Sequence, residues 1–339
     1  MHFEPLSSDT FTFDHAYIAL GAGGEPRVMV GDVDREYSLA SVTKPIAAYS
    51  VLIAVEQGKL GLDDDVAPLI FDGAGGFDEP AGAAFGSLAS TSGASVSSSA
   101  HAREGRGSAE AASTGLVPSE RAAREALEPE YLRGVTIRHL LAHASGLGAS
   151  PGKPLAKPST RRIYTNFGFD VLALALRSAI GMPIQQWIHE QVFEPLGMVD
   201  ARIEGSIAKD AVSSADSLAL FASELLRPTL LSQEMLSEAV AVQYPGLPGI
   251  LPGFGRQDDN AWGLGFSIKG SKHPHWLGDS FSPRAFGHFG QSGSFLYVDP
   301  DAGVAGVFLG AKPFSQVHAT VWPGLSNEMR ELSLGSARL

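Results

Sequence analysis

Apolar positions along the chain follow two rhythms, short runs near both ends and helical spacing in between. Residues 15–20 and 27–30 are brief apolar runs separated by Gly21-Ala22-Gly23-Gly24, the pattern of a hairpin. Residues 35–39 predict a third strand that leads into an apolar helix over 46–57, ended by Gly58. Leu60-Gly61-Leu62-Asp63-Asp64-Asp65 reads as a capped turn, because no Gly and Glu follow its aspartates at the spacing of a calcium loop. A short helix is predicted over 120–127, and the Thr136-Ile137-Arg138-His139 stretch resumes regular structure. Helices follow at 169–179 (stopped by Gly181), 183–193 (stopped by Pro195-Leu196-Gly197), 214–226 and 233–240. From Trp262 the β pattern returns at 262–268, 285–289, 294–298 and 304–309, with Asp299-Pro300-Asp301-Ala302-Gly303 as the turn between the last two. A final helix spans 321–332.

Strands at both ends with helices between predict an α/β protein whose termini meet in one mixed sheet. Residues 1–60 and 260–339 would form this α/β lobe, and 61–259 a mostly helical lobe inserted beside it. Within the latter, 73–115 is built largely of Gly, Ala and Ser with few large apolar side chains. Such a segment buries too little surface to offset its chain entropy and is expected to be a disordered surface insertion.

Composition narrows the function. The 339 residues are long enough for a large core, and 44% hydrophobic with 18% charged residues fits a globular protein. A net charge of −12 argues against nucleic acid or an anionic membrane as the main partner. Cysteine is absent, so disulfides, thiolate metal sites and cysteine nucleophiles are excluded. The segment Met1-His2-Phe3-Glu4-Pro5-Leu6 lacks the basic and apolar regions of a secretory signal, and no apolar run reaches membrane-spanning length. A cytoplasmic location is the expectation; oligomeric state is not readable.

The candidate chemistry begins at Tyr37-Ser38-Leu39-Ala40-Ser41-Val42-Thr43-Lys44-Pro45. Ser41 and Lys44 stand one helical turn apart and share a face. A buried lysine can lose its proton and activate a neighbouring alcohol. A lone Ser-x-x-Lys is more often a solvated helix start, and the spacing recurs at Ser150/Lys153 and Ser206/Lys209. Only Ser41/Lys44 opens an apolar helix; Pro151-Gly152 breaks the second pair, and the third runs into an acidic loop. Pro45 disfavours helical geometry at Lys44, which predicts an irregular first turn.

Two metal readings are weaker. His139 and His143 have the spacing of a zinc-protease helix, but Leu140 stands where the general base belongs, so both read as packing residues. His273-Pro274-His275 with Asp279 lies in a Gly/Pro-rich stretch and reads as a surface loop. Gly146 to Lys153 fails as a phosphate loop, with Leu147 and Pro154 at positions that require Gly and Ser/Thr.

Two further patterns each occur once, Tyr164-Thr165-Asn166 on a loop in the helical region and His288-Phe289-Gly290 on a late strand. With Ser41-Val42-Thr43-Lys44 before them, and with the flanking phrases Leu60-Gly61-Leu62-Asp63-Asp64-Asp65-Val66, Thr136-Ile137-Arg138-His139-Leu140-Leu141-Ala142-His143-Ala144-Ser145-Gly146-Leu147 and Gly287-His288-Phe289-Gly290-Gln291-Ser292-Gly293-Ser294, the chain resembles the serine β-lactamase and penicillin-binding-protein-like superfamily. The likeness is greatest to its branch of class C β-lactamases, D-alanyl-D-alanine peptidases and family VIII esterases, and covers most of the chain.

The resemblance implies a β-lactamase/transpeptidase-like fold, an antiparallel sheet flanked by helices with an inserted all-α lobe. It implies that Ser41 is the acylated nucleophile, that Lys44 helps to deprotonate it, and that Tyr164 moves the proton to the leaving group. Asn166 would bind the substrate amide, His288 and Gly290 would form the strand motif, and the backbone N–H groups of Ser41 and Gln291 would hold the oxyanion. Which of Lys44 and Tyr164 is the base stays open. His288 stands where many β-lactamases carry a lysine, which favours an esterase or peptidase over a dedicated β-lactamase. The implied function is a serine hydrolase of small esters or amides, working through an acyl-enzyme on an ester, amide or β-lactam-like substrate, without metal or organic cofactor. The alternatives are a catalytically silent member that binds a ligand or partner, and a metallohydrolase using His139 and His143.

Overall fold

The computed structural model describes residues 11–72 and 115–335. Of the predicted insertion at 73–115, all but Gly115 lies outside the described residues. The strands are β1 (His15–Leu20), β2 (Pro26–Gly31), β3 (Tyr37–Ser38), β4 (Arg202–Ile203), β5 (Ala211–Ser213), β6 (Gly249–Leu251), β7 (Gly255–Gln257), β8 (Ser267–Ile268), β9 (Phe286–Gly290), β10 (Ser294–Asp299) and β11 (Val304–Gly310). The helices are α1 (Thr43–Glu56), α2 (Val66–Phe71), α3 (Pro118–Ala126), α4 (Ile137–Leu141), α5 (Phe167–Ile180), α6 (Ile184–Ile188), α7 (Ala215–Leu226), α8 (Gln233–Val240) and α9 (Gln316–Ser333).

The main sheet runs β2-β1-β11-β10-β9-β8. Every pairing in it is antiparallel, so it is not the mixed sheet that the strand pattern alone suggests. Short turns connect β1 to β2 and β9 through β11, and β11 then closes on β1 with Gly310 opposite His15. Its strands alternate between two cores. Leu296, Val298, Val307 and Leu309 face a cluster shared with α1 and α7. Phe295, Tyr297 and Phe308 face one built with Trp322, Leu325 and Met329 of α9. Helix α7, from the middle of the chain, packs on β1, β10 and β11.

Helix α1 is buried from Thr43 through Ala54, so it is a central core helix and not an amphipathic one. It starts earlier than the apolar pattern predicts and includes Lys44. Pro45 falls in the first turn, where its missing N–H has no intrahelical partner to lose. The expected irregularity lies one turn earlier, in the 3-10 turn Ala40–Val42, where Ala40 has φ 43°.

Other boundaries moved for tertiary reasons. Strand β3 pairs with β5 in a small separate sheet. Only Ser267–Ile268 of the predicted strand at 262–268 joins the main sheet. Helix α6 continues to Leu196 by widening into a π turn at His189–Phe193, just ahead of Pro195. Among the described residues no single helix is long and apolar enough to cross a membrane.

Candidate active site

Ser41 sits where the chain leaves β3 and turns into α1. The left-handed Ala40 is a conformation that costs a residue with a Cβ roughly 1–2 kcal/mol. Tertiary contacts hold it there. Thr43 Oγ1 donates to Ala40 O at 2.6 Å, and Gly290 of β9 presses against the turn. A Cβ at position 290 would lie 2.4 Å from Leu39 O and 3.1 Å from Ser41 N. Glycine is therefore required at 290 for close approach, and that approach brings His288 and Gln291 to Ser41. Among the described residues no acceptor takes the N–H of Gln291.

Lys44 is fully buried. Its Nζ lies 2.6 Å from Asn166 Oδ1, 2.7 Å from Ala208 O and 3.3 Å from Ser41 Oγ. It also lies over the face of the Tyr164 ring, 4.7 Å from the centroid. Burial pushes its pKa down to about 7; the Asp170 carboxylate opposes that shift and Lys209 adds to it. A neutral amine has two N–H donors and one lone pair. The two short contacts occupy both donors, which leaves the lone pair for the Ser41 hydroxyl.

Asn166 is the cap residue of α5, so the helix start aims its carbonyl at Lys44. One turn on, Asp170 accepts from Ser206 Oγ at 2.6 Å, and that hydroxyl takes the N–H of Ala208 at 3.1 Å. Asp170 thus braces the loop whose Ala208 carbonyl holds Lys44. Tyr164 is half-buried among aromatic rings with its hydroxyl fully covered, and the ring centroids lie 4.7 Å from His143, 5.7 Å from His288 and 5.8 Å from Trp262. Burial raises its pKa; the neighbouring Ser41 hydroxyl works in the opposite direction but is outweighed. Its hydroxyl forms no fully aligned hydrogen bond. Tyr164 is a phenol at neutral pH, not a phenolate.

His288 faces the same space from β9. Its Nδ1 lies 2.6 Å from Phe289 O, a distance that assigns the proton to Nδ1 and leaves Nε2 an acceptor without a partner. Burial, then the charge of Lys44, lowers its pKa to about 3, so the ring is uncharged. Ser41, Tyr164, Trp262, Ser267, His288, Phe289 and Gln291, with Leu251 and Pro252, line one cleft that opens to solvent. All the positions singled out in the sequence, Ser41, Lys44, Tyr164, Asn166, His288, Gly290 and Gln291, therefore meet around this cleft or directly behind it.

The excluded motifs are accounted for. His139 is held at both ring nitrogens, Nδ1 2.8 Å from Thr136 Oγ1 and Nε2 2.8 Å from Ser159 Oγ. His143 is buried against Tyr164, Phe169 and Trp262. Burial, then the charges of Lys44, His288 and Arg162, keep its pKa well below the ordinary histidine value. Among the described residues no group of three or more His, Asp or Glu side chains could hold a metal ion. The stretch around His273 is a surface loop at His273, Pro274 and Asp279, which are exposed, but it also buries Lys272, His275, Trp276 and Leu277. Sequence reading also missed Ala208 and Asp170. The one signal for Asp170 was its place one turn after Asn166; a backbone carbonyl such as that of Ala208 leaves no signal at all.

Comparison with known proteins identifies the family. The β-lactamase family model matches residues 32–325. A β-lactamase structure from Mycobacterium bovis is 35% identical, with TM-score 0.74 over 96% of this chain and 98% of that one. EstCE1, a hydrolase with promiscuous acyltransferase activity, shares the fold at 16% identity and TM-score 0.62, over 97% of this chain and 96% of that one. A 51-residue stretch is 45% identical to the D-alanyl-D-alanine-carboxypeptidase/endopeptidase AmpH of Escherichia coli K12, which is 15% of this chain and only 13% of that relative. With a family match across most of its length and a structural relative of this identity over nearly all of it, the chain belongs to the β-lactamase family.

Proposed function

We propose that this protein is a serine hydrolase that cleaves small esters or amides through an acyl-enzyme on Ser41. The observation that carries the reading is the placement of Lys44: a buried amine with pKa near 7, held by Asn166 and Ala208, with its nitrogen 3.3 Å from the Ser41 oxygen. Lys44 takes the Ser41 proton as Oγ attacks the substrate carbonyl carbon. The oxyanion that forms lies between the N–H groups of Ser41 and Gln291, and losing one such donor typically costs about 10²–10³ in rate. Tyr164, a neutral phenol beside Ser41, gives its proton to the departing alcohol or amine and recovers one from the Lys44 ammonium. Water then attacks the acyl carbon, its proton leaves by the same groups, and Ser41 is released with the free acid. His288 offers the Nε2 lone pair to hold that water. Assigning the base to Lys44 follows from the opposite shifts of the two groups: burial favours the neutral amine and disfavours the phenolate.

Uncharged His288 supplies no permanent cation for a penicillin-type carboxylate, which supports ester or amide turnover with modest or no β-lactam hydrolysis. The shared fold with the hydrolase EstCE1 is in keeping with this reading. A panel of p-nitrophenyl esters, nitrocefin and a D-Ala-D-Ala peptide tests it, together with mass spectrometry after a fluorophosphonate probe. Ester turnover and a single adduct on Ser41, both lost in Ser41→Ala, are expected. No adduct and no turnover would favour a ligand-binding role; chelator-sensitive activity that survives Ser41→Ala would favour a metallohydrolase.

A further inference from the structure

A second lysine is buried behind the cleft, and the reaction described above does not use it. Lys272 is 3% exposed. Its Nζ donates to Ser267 Oγ at 2.8 Å and to Ala261 O at 2.9 Å, and lies 5.7 Å from the centre of the Trp262 ring. Ser267 in turn lines the same cleft as Ser41, Tyr164 and His288. Burial lowers the Lys272 pKa well below the ordinary lysine value, Arg162 adds to that, and Asp259 opposes it. Burying an amine costs free energy, which its hydrogen bonds to Ser267 and Ala261 offset.

The arrangement polarises Ser267. Its oxygen accepts from Lys272, so its own O–H is left to donate, and among the described residues no acceptor takes it. The position of Ser267 matters too. Strand β8 is two residues long and pairs only with Phe286 and Gly287, so the edge of β9 beyond Gly287 is open from His288 onward. Ser267 marks the boundary of that open edge. The neighbouring walls, Leu251, Pro252, Trp262 and Phe289, present apolar side chains.

We propose that Ser267, backed by Lys272, is a subsite that takes a carboxylate oxygen of the substrate, carried on either the acyl or the leaving group. The proposal rests on Ser41 being the nucleophile. By donating to the Ser267 oxygen, Lys272 turns that hydroxyl's own proton toward the cleft, whose strand histidine is uncharged. Hydrogen bonds to a charged group are among the stronger ones, so roughly tenfold or more in selectivity is at stake.

Two matched pairs test it and separate the two sides of the scissile bond. Mono-p-nitrophenyl succinate against p-nitrophenyl butyrate reads the acyl side; 4-acetoxybenzoate against its methyl ester reads the leaving-group side. The wild type should favour the carboxylate in at least one pair, by the ratio of kcat/KM. Ser267→Ala should lower that ratio about tenfold, and Lys272→Met should lower it as well. If Lys272→Met fails to fold, Ser267→Ala decides alone. A wild type without carboxylate preference in either pair, or a ratio unmoved in Ser267→Ala, overturns the subsite. If hydrolysis of the uncharged reference esters survives Ser41→Ala, the hydrolase reading has failed instead.

Discussion

Replacing Lys44 with methionine separates what the amine does for catalysis from what it does to stability. The wild-type amine is depressed from 10.5 to about 7, chiefly by burial. At about 1.36 kcal/mol per pH unit, folding around this group at or below neutral pH costs roughly 5 kcal/mol. The sign follows from proton binding. Between pH 7 and 10.5 the unfolded chain holds this proton and the folded chain does not, so wild-type stability rises with pH through that window. Methionine removes the dependence but leaves Asn166 Oδ1 and Ala208 O without their donor, a pH-independent loss of about 1–3 kcal/mol each. Near pH 7 these effects are of similar size, so Lys44→Met should be close to the wild type in stability while losing ester turnover. On going to pH 10 the wild type should gain roughly 3–4 kcal/mol over the variant from this group alone. Urea unfolding followed by tryptophan fluorescence at pH 7, 8.5 and 10 measures the difference. A difference that stays constant within about 1 kcal/mol would refute a depressed amine, and with it the base proposed for Ser41.

Activity should follow the same group: kcat/KM for p-nitrophenyl acetate should rise about tenfold per unit below pH 7 and level off above, as Lys44 becomes neutral. Asp170 favours the charged amine, so Asp170→Asn should move the midpoint of that rise to lower pH; a rate that falls as pH rises through 7 would exclude Lys44 as the base. Gly290→Ala would place a Cβ 2.4 Å from Leu39 O, which should displace the Ser41 turn and cut kcat by about 10²–10³, and wild-type turnover in this variant would show that the close approach is not needed. Arg162 donates to the carbonyls of Asn260, Ala142, Gln243 and Tyr244, so Arg162→Met should destabilise the fold by about 3 kcal/mol or more in urea, and a loss under 1 kcal/mol would contradict its bracing role.

What could be read from the sequence was whatever local periodicity or a short motif encodes. The hairpin at β1 and β2, the long helices and the last three strands carried clear apolar rhythms, and the three motifs marked the positions that meet at the cleft. What could not be read depended on partners distant in the chain. Residues 262–268 look like a strand because Trp262, Leu264 and Phe266 are apolar, yet these side chains are buried outside the main sheet and only two residues pair with β9. Lys272 and His275 sit in a Gly/Pro-rich segment whose composition signals solvent, but packing buries both. Pro45 carried a correct local rule with the wrong consequence, because the backbone strain settled at Ala40, where Gly290 of a strand far along the chain leaves no other path.

The same dependence on distant partners makes the proposed chemistry a report on the whole fold. Ser41 and Lys44 are neighbours on one helix start, but neither is sufficient there. The Ser41 turn is pressed into place by β9, while Lys44 is held dry by the start of α5 and by the loop before β5. Loosening any of these contacts admits water to the amine, and its pKa then drifts back toward 10.5. Each unit of drift lowers the neutral fraction at pH 7, and so the rate, by about tenfold once the amine is mostly charged. A substitution remote from the cleft that shifts the α5 start relative to β9 should therefore raise the pH at which activity appears before it lowers the melting temperature. A purely structural role for Lys44 predicts the opposite order, with activity falling in step with the folded fraction and its pH profile unmoved.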